Sequence, residues 1–120
     1  MSKSYPEITK AITANLKPLR KDIAGVLQGF SAMAQAASKS GALDMKTKEL
    51  IALAIGVATR CDGCIGFHTD ALVKLGATLG EFEEVLGMAV YMGGGPSLMY
   101  AADAMLAFRQ FSELSATSEQ

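Results

Sequence analysis

Both cysteines and the only histidine of this chain fall within one short run, Arg60-Cys61-Asp62-Gly63-Cys64-Ile65-Gly66-Phe67-His68. Thiols bring nucleophilic, redox and soft-metal chemistry, and an imidazole changes its charge near neutral pH. If a helix begins at or just after Cys61, the two cysteines stand one turn apart, with Cβ atoms roughly 5 to 6 Å apart. A disulfide needs Cα atoms about 4.4 to 6.8 Å apart, so the pair can open and close with little backbone movement. His68 follows Cys64 by four residues, shares its helix face, and can exchange a proton with it directly or through a water. The positive end of the helix lowers a thiol pKa. On that ground alone Cys61, nearer the N-terminus, is the expected attacking thiol. Arg60 and Asp62 flank it and bias it in opposite directions.

Three kinds of chemistry are open to these residues. Cysteines also serve as small core hydrophobes, with a histidine merely hydrogen-bonded beside them. Cys61, Cys64, His68 and Glu49 could supply four zinc ligands, which makes a non-catalytic metal-binding oligomer one alternative. Structural zinc sites usually present a second close ligand pair, however, and the chain has none. The CxxC spacing in a reducing compartment is a recognised redox arrangement. A redox site is therefore the leading expectation, with a protein disulfide oxidoreductase or redox sensor as the alternative use of the same thiols.

The elements that must position this site are all helical, because every periodic segment has the helical period and none alternates as a half-buried strand does. Ile8, Ile12, Leu16 and Leu19 mark a first helix; Val26, Phe30, Met33, Ala34 and Ala37 mark a second, with Pro18 expected in its first turn. Asp44 is placed to cap a third helix from about Met45 to Arg60. Between Leu50 and Ala58 only Gly56 interrupts a run of Ala, Val, Ile and Leu, so that helix is expected to be buried on all sides, in the fold or in an oligomer. A fourth helix is expected from Cys64 to Leu75, stopping at Gly76. Thr78-Leu79-Gly80-Glu81 is a capping box opening a helix with Phe82, Val85, Leu86 and Ala89 on one face. Gly93-Gly94-Gly95-Pro96 then breaks the chain before a last apolar face of Leu98, Ala101, Ala102, Met105 and Phe108. That break also argues against a membrane span over the uncharged stretch from Val85 to Ala102, and it lacks the Lys-Ser or Lys-Thr pair of a phosphate loop. Ser112 to Gln120 is polar and expected to fray.

The chain has 120 residues, is 50% hydrophobic and 19% charged, and carries a net charge of −1. One all-α domain of five or six helices spanning residues 1–120 is the expectation. Eleven basic against twelve acidic residues leave no electrostatic footprint for nucleic acid or an anionic membrane. Two cysteines cannot staple a secreted mini-protein, and the N-terminus does not read as a signal peptide, so a cytoplasmic location is expected. The apolar content exceeds what a core of this size hides, which points to self-association.

Lys48-Glu49-Leu50-Ile51-Ala52-Leu53-Ala54-Ile55, followed by Cys61, Cys64 and His68, then Ala71, Gly76-Ala77 and Glu81 to Val85, resembles the carboxymuconolactone decarboxylase-like superfamily, and within it the alkylhydroperoxidase D branch. The resemblance covers about residues 43–110. It implies an all-helical fold, assembly as homotrimers or hexamers, and reduction of organic hydroperoxides in antioxidant defence, at the expense of an external dithiol such as a thioredoxin-like or lipoyl reductant. By position it implies that Cys64 attacks the peroxide, that Cys61 is the resolving cysteine and proton donor, and that Glu49 and His68 form a proton relay, a scheme that needs no metal and no bound organic cofactor. The decarboxylase branch lacks the cysteine pair. Many relatives carry His or Tyr immediately before the second cysteine, where this chain has Gly63.

Glu49 is the least obvious member of that set. Twelve residues of helix before Cys61 amount to about 18 Å, and His68 returns only roughly 10 Å along an antiparallel helix. Side-chain reach and helix tilt must close the difference. Without the resemblance, Glu49 reads as a carboxylate near a helix start that offsets the macrodipole.

Overall fold

A computed structural model describes residues 3–118. Among them the chain forms six α-helices and no strand: α1 Tyr5–Asp22, α2 Ala24–Ser38, α3 Met45–Ala58, α4 Asp62–Lys74, α5 Leu79–Gly93 and α6 Gly95–Ser118. The all-α expectation holds. The helices α3 and α4 pack on each other; α5 and α6 cover them, α1 lies across α4 and α6, and α2 reaches back to α1 and α3. Leu53 and Val57 of α3, Ile65 and Leu72 of α4, Phe82 of α5 and Ala104 and Ala107 of α6 meet in the core with no exposed surface.

Local chemistry sets most boundaries where the sequence places them. The Asp44 carboxylate accepts the Thr47 N–H at 2.7 Å and caps α3. Thr78 and Glu81 exchange hydrogen bonds with each other's backbone at 3.1 and 2.8 Å, completing the capping box of α5. Gly76 ends α4 at φ 77° and Gly94 separates α5 from α6 at φ 75°, a region that residues with a Cβ enter at a cost.

Four expectations need correction. Pro18 lies inside α1 rather than opening α2, and the break falls at Ile23, whose φ of −128° and ψ of 54° are not helical. The residues around Pro18 are exposed, so the carbonyl that its missing N–H leaves free can be hydrated, which lowers the cost of an internal proline. The third helix ends at Ala58, two residues early, and the single chain does not bury it all round: Ile51 and Ile55 are 45% and 58% exposed, so the fold by itself does not enclose it. The buried face of α6 runs through Ser97, Ala101, Ala104, Ala107 and Phe111, while Leu98 and Ala102 are exposed. Small residues let α6 approach closely; a Cβ on Gly93 would collide with the Ser97 hydroxyl, which fixes the rotation of α6 at its start. Finally, helix continues through Ser118 rather than fraying from Ser112, and residues 119–120 of that stretch lie outside the described part.

No helix among the described residues is long and apolar enough to cross a membrane. The uncharged stretch from Val85 to Ala102 is divided at Gly94.

Candidate redox site

The turn between α3 and α4 builds the site. Thr59 and Arg60 close α3, with the Arg60 N–H donating to the Val57 carbonyl at 3.1 Å. Arg60 takes φ 58°, a left-handed conformation that costs a non-glycine residue about 1 kcal/mol or more. The chain thereby reverses within three residues, and the Cys61 N–H returns to the Gly56 carbonyl at 2.9 Å.

Cys61 is the N-cap of α4, and its sulfur accepts the backbone N–H of Cys64 at 3.1 Å. The two cysteines are joined as a disulfide with their Cα atoms 5.2 Å apart, inside the range the spacing allows. Both are partly buried. Gly56 of α3 lies directly beneath: a Cβ there would come within 2.9 Å of the Cys64 Cβ, so only glycine lets α4 settle onto α3 at the reactive residue. In the sequence Gly56 shows only as the one interruption of an apolar run.

His68 Nδ1 stands 2.6 Å from Glu49 Oε2. The gap foreseen from helix lengths closes because α3 stops at Ala58. Its axial run from Glu49 is then about 14 Å instead of 18 Å, and two side chains span the rest. Glu49 keeps only 15% of its side-chain surface and His68 35%. A carboxylate so enclosed needs a partner, and the imidazole provides it. With Nδ1 engaged, Nε2 is the ring nitrogen available to a reactant.

A cavity of about 650 Å³ opens onto these groups. Cys61, Cys64, His68 and Glu49 all line it, together with apolar side chains of α1, α2 and α4. The structure therefore brings all four sequence-derived site residues to one cavity. Among the described residues no three His, Cys, Asp or Glu side chains converge on a point where they could hold a metal ion.

Asp62 is drawn away from the cysteines. Its carboxylate takes the Lys3 ammonium at 3.0 and 3.1 Å and the Tyr5 hydroxyl at 2.8 Å, while Lys3 also reaches Asp103 at 2.9 Å. Burial first, and Asp62 second, push the Tyr5 phenol above its ordinary range. The Asp103 hydrogen bond chiefly raises Lys3, opposed by partial burial and reinforced by Asp62. This clamp ties the N-terminal segment to the first turn of α4. Nothing in the spacing of Lys3, Tyr5 and Asp62 announces it, since the partners lie 57 and 59 residues apart.

Comparison with known proteins agrees with this architecture. The model of the "Carboxymuconolactone decarboxylase family" matches residues 24–107, from the start of α2 into α6 and farther toward the N-terminus than the resemblance read from the sequence. A solved structure of a carboxymuconolactone decarboxylase family protein from Legionella pneumophila is 62% identical, with a TM-score of 0.88, over 90% of this chain and 96% of that one. A Thermotoga maritima member of the family, put forward as a participant in an antioxidative response, is 26% identical with a TM-score of 0.79, over 98% of this chain and 97% of its own. An uncharacterized protein of Cupriavidus necator is 40% identical over 82 residues, 68% of this chain and 73% of its length. A family model spanning most of the helical bundle, matched by a close structural relative along nearly its whole length, places this chain in the carboxymuconolactone decarboxylase family.

Proposed function

We propose that the protein is a thiol-dependent peroxidase of the alkylhydroperoxidase D type, reducing organic hydroperoxides. The observation that carries this reading is the 2.6 Å Glu49–His68 pair lining the same cavity as the Cys61–Cys64 disulfide. A dithiol sharing a cavity with a carboxylate-oriented imidazole has what a hydroperoxide reduction needs: a nucleophile, a resolving thiol and a proton relay.

In the reduced protein His68 takes the Cys64 proton, and the thiolate attacks the distal peroxide oxygen. The O–O bond breaks, Cys64 becomes a sulfenic acid, and the alkoxide leaves as the alcohol after taking the proton back. The Cys61 thiol then attacks the Cys64 sulfur; the S–O bond breaks, water departs and the disulfide forms. An external dithiol restores both thiols and is itself oxidised. Cys64 fits the attacking role because His68 lies one turn along the same helix. Cys61 fits the resolving role because its sulfur reaches that of Cys64 closely enough to close the disulfide.

The test is consumption of an organic hydroperoxide by reduced protein supplied with a dithiol. Cys64→Ser is expected to abolish turnover, and Cys61→Ser to stop at the sulfenic acid, seen by mass spectrometry. Wild-type turnover no faster than that of the double cysteine variant overturns the reading.

A second reading, thiol–disulfide exchange with a protein partner, is favoured by the position of Cys61 at a helix N-terminus. It requires a mixed disulfide trapped on one cysteine variant, with little peroxide consumed.

We further propose that the protein works as a homo-oligomer, a trimer or hexamer. The isolated chain exposes 7,616 Å², against roughly 6,200 Å² for a compact monomer of this mass. Ile55, Met88, Tyr91, Met92, Leu98 and Met99 contribute large exposed apolar side chains. Light scattering at a mass of three or six chains is the expected result; a monomer at micromolar concentration contradicts it.

A further inference from the structure

The cavity extends beyond the reacting groups into an apolar groove that neither the thiols nor the relay uses. Ile12 of α1, Phe30, Ala34 and Ala37 of α2, and Phe67 of α4 form its walls. Phe30 and Phe67 are 62% and 42% exposed, so two aromatic rings stand open to solvent beside the disulfide rather than in the core. Gly63 brings the α1 wall close: a Cβ on it would meet the Ile12 Cδ1 at 2.8 Å, so a methyl group packs against the residue between the two cysteines. Among the lining residues Lys48 is the one lysine or arginine, half-buried and held at the α2–α3 junction by its hydrogen bond to the Lys39 carbonyl. The volume of about 650 Å³ is within the range that encloses whole organic ligands.

Resting on the peroxidase reading above, we infer that this groove takes the aliphatic chain of a long-chain fatty-acid hydroperoxide, with Lys48 facing its carboxylate. The chemistry is the two-electron reduction already written: Cys64 accepts the distal oxygen, the hydroxy fatty acid leaves, and a dithiol returns the electrons. Each methylene against Phe30 and Ile12 is removed from water, a gain that hydrogen peroxide and tert-butyl hydroperoxide cannot make. The Lys48 ammonium complements the one charge such a substrate carries, and Lys48 stands eight residues, about 12 Å of α3, before Gly56, on which Cys64 packs, so it meets a separate end of the molecule.

Kinetics of the reduced full chain with dithiothreitol are compared on hydrogen peroxide, tert-butyl hydroperoxide, linoleic acid hydroperoxide and the methyl ester of the last. Binding of the corresponding hydroxy fatty acid to the disulfide form is measured by calorimetry. The expected kcat/KM for linoleic acid hydroperoxide exceeds that for tert-butyl hydroperoxide by roughly tenfold or more. Phe30→Ala lowers that ratio and weakens hydroxy-acid binding; Lys48→Met lowers the ratio of acid to ester. Phe30 is on an exposed face, so circular dichroism is expected to show an unchanged fold. Turnover with no preference for the long chain overturns the inference and leaves the peroxidase reading standing. Absence of turnover with every hydroperoxide overturns both. A change of oligomeric mass in Phe30→Ala, without a change in the ratio, means a second copy covers the groove and also overturns the inference.

Discussion

Glu49 Oε2 and His68 Nδ1 meet at 2.6 Å across the α3–α4 packing, though nineteen residues separate them in the chain. The two act as one device if Glu49 serves by orienting the imidazole. Glu49→Gln and His68→Gln are each expected to lower kcat/KM for a hydroperoxide by about 100-fold. The double variant should lose little more than the worse single one, because groups acting as a unit are not additive. Multiplying losses would show that they act separately.

Gly56 sits under Cys64 with no room for a side chain. The atom a new methyl would strike is a Cβ fixed to the backbone, so relief requires α3 and α4 to part. Gly56→Ala is expected to destabilise by about 1 to 3 kcal/mol despite the better helix propensity of alanine. Urea unfolding measures this, and an unchanged midpoint would refute the steric role.

Thr69 is fully buried on α4, and its hydroxyl has no hydrogen-bond partner among the described residues. Replacing an unsatisfied buried hydroxyl by a methyl of the same shape removes a desolvation cost. Thr69→Val is expected to raise stability by about 1 kcal/mol, read as a higher urea midpoint with unchanged slope. A loss of stability would mean the hydroxyl has a partner in solution.

Two capping carboxylates make the fold sensitive to acid. The Lys46 ammonium at 2.8 Å, with the Thr78 N–H second, holds Glu81 below its usual range; the Thr47 N–H does the same for Asp44. A lowered folded-state pKa contributes stability that is present above the unfolded pKa of about 4 and lost as pH falls through the folded one. The thermal midpoint is therefore expected to drop below about pH 4, and Asp44→Asn with Glu81→Gln should flatten that decline. Added salt should weaken the Lys46–Glu81 part, since both groups are exposed to solvent. An equally steep acid limb in the double variant would assign it to other groups.

The sequence by itself determined the helical class, the caps at Asp44 and Thr78, the turn glycines at 76 and 94, and the spacing that lets Cys61 and Cys64 bond. These depend on neighbours within about four residues, where backbone geometry leaves few choices. It also carried Glu49, but only through a resemblance; the distance argument alone left it too far from His68. Tertiary structure decided what depends on how one helix meets another. It closed the Glu49–His68 gap by ending α3 at Ala58 and reversing the chain at a left-handed Arg60. It turned the small residues of α6 inward where periodicity had favoured Leu98, and it drew Asp62 away from the cysteines onto Lys3 and Tyr5. It also laid Ile12, Phe30 and Phe67 along the reactive cavity. Hydrophobic periodicity reports that a face is apolar, whereas steric fit between particular side chains decides whether that face meets the core or borders the reactive cavity.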